Sequence, residues 1–266
     1  MDKLYIIKIG GNIIDNDTRL GQFLNSFSSV NGKKILVHGG GKLATRMAEQ
    51  MGIQQTLVDG RRITDAETLR IVTMVYAGQI NKDIVARLQS KNCNALGLTG
   101  ADGDSILAHK RKNALMDYGF VGDVDLVNTN LVAQLLELGL ALVFAPITHD
   151  QQGQLLNTNA DTIAQELAKG LSSQYDVELI YSFEKRGVLL DANDDDTVIP
   201  RIGPDYYQWL KTKQKIFEGM IPKMDNAFTA LKSGVKKVII GNAEELDKLV
   251  EGAAGTTITL DNEISK

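Results

Sequence analysis

One cysteine in 266 residues, Cys93, excludes an intrachain disulfide and any zinc centre built on several thiolates. Its simplest use is as a small buried hydrophobe. His38, His109 and His149 show no metal-ligand spacing, so no metal site is expected. No apolar run approaches the roughly 20 residues that a membrane span needs. Strand-like residues begin at position 4, which leaves no room for a signal peptide, and the chain is expected in the cytoplasm. Positive charge is not in excess either. There are 29 Lys and Arg against 33 Asp and Glu, a formal net charge of -4, whereas nucleic-acid-binding domains are usually basic. Internal repeats, low-complexity linkers and a Walker A phosphate loop are also missing.

What remains is an ordinary globular composition, 43% hydrophobic and 23% charged, in a chain long enough for one large α/β domain or two lobes. Residues 4–9, 34–37, 94–98, 141–147, 177–181 and 235–241 read as strands. Helix-period segments alternate with them at 19–27, 43–51, 65–90, 161–171 and 223–231, the long third one broken only by Gly78. This alternation predicts an α/β fold with an open, mainly parallel central sheet and helices on both faces. Residues 109–127 suit a β-hairpin or a surface excursion. Residues 191–196 form a polar turn without the glycine and terminal glutamate of a calcium loop. A lobe boundary near 170–176 divides the chain into residues 1–172 and 173–266.

The chemistry-bearing residues lie at strand ends. Lys8 interrupts the apolar first strand, and an ammonium there is costly to desolvate unless a negative group meets it. Gly10 and Gly11 follow at once, where the backbone can turn sharply and approach a ligand. Gly39-Gly40-Gly41 ends the second strand. Ligands of open α/β sheets bind beyond the carboxyl ends of strands. Amides of such turns, and of the helix that starts after Gly41, form anion sites. Tight βα connections are the alternative reading, since neither cluster has dinucleotide spacing. Asn157-Thr158-Asn159-Ala160-Asp161 is ordinary helix-cap chemistry that also offers several donors and a carboxylate. Lys223, just after Pro222 at a helix start, sits where cations are disfavoured, which hints at an anionic partner. Arg61-Arg62 could grip a carboxylate or be exposed surface. His38 is expected to hydrogen-bond locally rather than act as a base.

Taken together and in order, five segments resemble those of the N-acetylglutamate kinases, within the amino-acid kinase superfamily. They are Ile6-Ile7-Lys8-Ile9-Gly10-Gly11, Val37-His38-Gly39-Gly40-Gly41, Asp59-Gly60-Arg61-Arg62-Ile63-Thr64, Asn157 to Asp161, and Gly219 to Lys223. The resemblance runs from residue 4 to about 240. It implies the amino-acid kinase fold and transfer of the ATP γ-phosphoryl group to the side-chain carboxylate of an N-acylated glutamate, with Mg2+ carried on the nucleotide. It implies that Lys8 and Lys223 flank the transferring group and that Asp161 holds both. Gly40 and Gly41 would offer amides to the acyl-glutamate, Arg62 would bind its α-carboxylate and Asn157 its main chain or acyl amide. Gly10 and Gly11 would approach the phosphates. Residues 1–172 would bind the acyl amino acid and, through a helical stretch at 65–88, dimerise; residues 173–266 would bind nucleotide. With only three residues before its first strand, the chain lacks the extension of hexameric, arginine-inhibited relatives, so a homodimer without arginine feedback is expected. One departure stands out. Tyr181-Ser182-Phe183-Glu184-Lys185-Arg186-Gly187 replaces a turn that carries an aspartate in many relatives, and no nucleotide contact is transferred to it. An N-succinyl substrate, needing room and a counter-charge for one more carboxylate, and a non-catalytic amino-acid-binding regulator are the alternatives.

Overall fold

The computed structural model describes residues 1–58, 61–113, 116–191, 193–216 and 220–261, without the Arg61 side chain. Among the described residues an eight-stranded sheet forms the centre. Its spatial order is Arg201–Ile202, Thr256–Ile258, Lys237–Asn242, Asp176–Phe183, Lys3–Ile9, Lys33–His38, Ala141–Phe144 and Ala95–Leu98. Every pairing is parallel except that of Thr256–Ile258 with Lys237–Asn242. Both faces are covered, as the near-continuous apolar strands require. Leu4 and Ile6 pack with Ile163 and Leu167 of the helix Ala160–Leu171 on one face. Tyr5, Ile7 and Ile9 pack with Phe23, Leu24 and Phe27 of the helix Asp17–Ser29 on the other. Cys93 is buried, and no described helix is long and apolar enough to cross a membrane.

A second sheet of four strands covers one end. Of the two readings of 109–127, hairpin or surface excursion, the structure has the hairpin, starting earlier, as Ile106–Lys110 paired antiparallel with Gly122–Val127. It is joined by Ile147–His149 and Leu155–Asn157. The single strand read at 141–147 is therefore two. The central strand stops at Phe144, and Pro146, which has no N–H to continue a ladder, precedes the strand of the smaller sheet.

Gly78 does not break the long helix. Ala66–Thr73 runs through a π-helical stretch, Met74–Ile80, into Asn81–Gln89. This wider turn brings Tyr76 and Ile80 together against Gly40. Gly40 has φ 149°, and a Cβ there would lie 2.2 Å from Ile80 Cδ1. Both backbone conformation and packing thus require glycine at this turn.

Candidate active site

The even-numbered positions of the first strand face the helix Ala160–Leu171, so Lys8 leaves the sheet towards that helix's N-terminus. The Asn159 side chain caps the helix by accepting from the amides of Asp161 and Thr162, which places Asp161 in the first turn. Lys223 comes from the first turn of Ile221–Lys232. Lys8 Nζ lies 2.7 Å from Asp161 Oδ1, and Lys223 Nζ donates to Asp161 Oδ2 at 2.6 Å. Burial alone would raise the Asp161 carboxyl; the charges of Lys8 and Lys223 outweigh it and hold the group well below the usual carboxylate range. Burial lowers the pKa of the Lys8 ammonium, Asp161 opposes that, and Lys223 adds to it.

Two clefts meet at this cluster. One, of about 280 Å³, is bordered by Gly40, Arg62, Asn157 and Asp161. The other, of about 580 Å³, is bordered by Gly10, Lys42, Lys185 and Lys223. Lys8, Gly11 and Gly41 border both. The nine residues to which the resemblance gives a role, Lys8, Gly10, Gly11, Gly40, Gly41, Arg62, Asn157, Asp161 and Lys223, thus lie around one junction. Gly60 and Gly219, quoted with them, are outside the described residues, as is Asp59.

On the first side the polar groups are already fixed by the protein. The Arg62 guanidinium donates to Gly41 O at 2.9 Å and Thr45 Oγ1 at 2.7 Å, and also to Gln55 Oε1. Asn157, which borders the same cleft, is held by Nδ2 donating to Thr64 Oγ1 at 3.0 Å, so its amide oxygen is the group left to accept from a ligand. Arg111 borders the same cleft with its guanidinium on Asp123. On the second side, a Cβ on Gly11 would meet no protein atom within 4 Å, so space for a bulky anion begins at the backbone itself. The helices Gly41–Gln50 and Ile221–Lys232 both start here without a side-chain cap or an acidic residue in the first turn, so their partial positive ends are open to an anion. Glu184 also borders this cleft and accepts from Asn12 at 2.8 Å.

The arrangement can hold two anions on either side of a fixed ammonium pair. Sequence reasoning did not pick out Thr45, Gln55 or Tyr76, which fix Arg62 and the glycine turn from distant positions and carry no local signal. Lys42 did carry one. It is a cation in a first helical turn, the same conflict that marked Lys223.

The chain belongs to the amino acid kinase family, whose model matches residues 3–242. Among its relatives, an acetylglutamate kinase from Cytophaga hutchinsonii is 57% identical over 94% of this chain and 95% of that protein. Another acetylglutamate kinase, from Parabacteroides distasonis, is 54% identical over 92% of this chain and 96% of that protein. Among solved structures, smu.665 from Streptococcus mutans superposes with a TM-score of 0.79 at 26% identity, covering 97% of this chain and 99% of that one.

Proposed function

We propose that this chain is an acetylglutamate kinase, transferring the γ-phosphoryl group of ATP to the side-chain carboxylate of N-acetyl-L-glutamate in arginine biosynthesis. The observation that carries this reading is the meeting of the two clefts at Lys8, Asp161 and Lys223. One cleft offers a guanidinium and an amide oxygen suited to an N-acylated amino acid. The other offers lysines, helix N-termini and a glycine with open space beside it, suited to a polyphosphate.

The acceptor carboxylate, with a reference pKa of about 4.3, is ionised at neutral pH. No general base is needed. A carboxylate oxygen forms the new P–O bond, the bond to the bridging oxygen of ATP breaks, and ADP leaves with the electron pair. Catalysis is then positioning and neutralisation of charge on the phosphoryl oxygens. Lys8 borders both clefts and meets the γ-phosphoryl group in flight; Lys223 meets it from the nucleotide side. Asp161 holds the two ammonium groups apart at fixed positions. Gly40 and Gly41 direct amides at the reacting end of the acyl-glutamate, Arg62 takes its α-carboxylate, Asn157 its acyl amide, and Gly10 and Gly11 the phosphates. Both oxygens of Asp161 are occupied by ammonium groups. Asp161 thus has no oxygen free for a metal, and Mg2+ would be carried in on the phosphates of the nucleotide substrate.

The same reading makes residues 1–172 the acyl-amino-acid lobe and 173–266 the nucleotide lobe of a cytoplasmic homodimer built on the helical stretch 65–88. The two lobes share the central sheet, because Lys3–Ile9 pairs directly with Asp176–Phe183. The Lys223–Asp161 bond ties one lobe to the other.

A coupled assay with MgATP and a panel of free, N-acetylated and N-succinylated glutamate and aspartate tests the proposal. N-acetyl-L-glutamate is expected to give the highest kcat/KM. A preference above tenfold for N-succinyl-L-glutamate would replace the acetyl assignment; Arg111 is the cation that an extra carboxylate would have to recruit from Asp123. No turnover on any acylated glutamate would leave a non-catalytic amino-acid-binding regulator.

A further inference from the structure

His38 sits at the carboxyl end of the strand Lys33–His38 and is fully buried. Its Nδ1 lies 2.8 Å from Gly39 O and its Nε2 lies 3.2 Å from Asn81 Nδ2. Asn81, itself buried, also donates through Nδ2 to Val143 O at 2.9 Å, while its Oδ1 accepts from Lys82 Nζ at 3.1 Å. These partners determine where the imidazole proton resides. A carbonyl oxygen can only accept, so Nδ1 carries the proton towards Gly39. The two Asn81 hydrogens go to Val143 O and to a deprotonated Nε2. Burial pulls the His38 pKa down to about 4, which keeps the ring neutral at pH 7 and leaves the choice of tautomer to these bonds.

The consequence lies one peptide away. In a trans peptide the carbonyl and the following N–H point in opposite directions. With Gly39 O held inward by His38, the Gly40 N–H turns outward, and Gly39, Gly40 and Gly41 all border the acyl-side cleft. No backbone acceptor occupies the Gly40 or Gly41 N–H among the described residues. Tyr76 and Ile80 close on Gly40 from the π-helical stretch, and Asn81 is the next residue in that helix.

We infer that His38 is a positioning residue: through its Nδ1–H bond to Gly39 O it aims the Gly40 amide at the reacting anion, with Asn81 selecting the tautomer. The inference rests on the kinase reading above and adds a residue that touches neither substrate.

Two variants and one measurement on the unmodified protein test it. His38→Asn places an N–H donor near the Nδ1 position; His38→Gln places its amide near Nε2 and loses the bond to Gly39. His38→Gln is expected to lower kcat by at least tenfold with the KM for ATP little changed, and His38→Asn to recover most of that loss. Equal kcat losses in both variants, or losses that track melting temperature, would overturn the inference. Should neither variant fold, 15N NMR of the unmodified protein still decides it. The neutral Nδ1–H tautomer at pH 7 supports the inference, and an Nε2–H tautomer or an imidazolium sinks it. Failure of the kinase reading shows separately, as an unmodified enzyme that phosphorylates no acylated glutamate whatever the tautomer.

Discussion

The two clefts that meet at Lys8 are built by different means. On the Arg62 side the polar groups are buried or half-buried and already bonded: Arg62 to Gly41, Thr45 and Gln55, Asn157 to Thr64, His38 to Gly39 and Asn81. Their geometry exists before any ligand arrives, so little ordering entropy remains to be lost on binding. On the Lys185 side the pairs are exposed. Lys185 and Asp195 are 36% and 55% exposed, and Asn12 reaches Glu184 across the surface. That side has charge and helix N-termini rather than fixed forks. Under the kinase proposal the contrast is a division of labour. Selectivity among small acyl amino acids needs preorganised donors, whereas a polyphosphate is gripped by net positive potential that tolerates looser geometry.

The largest expected effect falls where the two sides join. Replacing Lys8 with Ala removes one stabilising cation from the transferring group, and such losses lower rates by roughly 10²–10³. Asp161 keeps its bond to Lys223, so no carboxylate is left buried without a partner, and the fold is expected to persist. Steady-state kinetics beside a thermal melt separates the two quantities. Near-normal kcat in a folded Lys8→Ala protein would remove the junction from the mechanism and make the clefts independent sites.

Why the two sides differed in legibility follows from the same contrast. Strand ends that carry glycine or lysine are local anomalies, visible because they contradict the apolar or capped pattern around them. Lys8, Gly40, Gly41 and Lys223 were found in that way, and the alternation of elements around them gave the central parallel sheet. The partners that fix Arg62 offered nothing of the kind. Thr45 and Gln55 are ordinary residues in ordinary places, and only the fold carries them to the guanidinium. The π-helical stretch was read as a break because Gly78 is a poor helix former. Tertiary packing of Tyr76 and Ile80 on Gly40 overrides that propensity. The short strands Arg201–Ile202 and Thr256–Ile258 were missed because two or three residues show no period.

The buried side has a second signature, in stability rather than rate. His38 titrates at about 4 in the folded protein against an ordinary 6.5. Between those values the unfolded chain binds a proton that the folded one refuses, so stability falls as the pH falls through this window. It is fully present above about pH 6.5, and the loss is on the order of 3 kcal/mol by pH 4. Asp161, whose pKa is depressed, surrenders its contribution only below the ordinary carboxylate value of about 3.9, so the two windows do not overlap. Urea denaturation at pH 7, 5.5 and 4.5 should show the decline, and His38→Asn should flatten it. An unchanged midpoint across that range in the unmodified protein would mean that the histidine is not held neutral inside the acyl side.

The smallest effect belongs to the nucleotide side. Asp195→Ala frees Lys185 from an exposed pair with a 3.1 Å contact. Solvent screening limits such pairs to roughly 0–1 kcal/mol. For a chain of this size that moves the melting temperature by less than about 4 °C. The ammonium still borders the cleft after the substitution and can still meet phosphate oxygens, so the KM for ATP should change by less than about threefold. The KM for the acyl-glutamate, set across the junction, should not move. A tenfold rise in the KM for ATP would mean that Asp195 holds Lys185 in one required position. The nucleotide side would then be as preorganised as the Arg62 side, and its exposure would no longer mark a different mode of recognition.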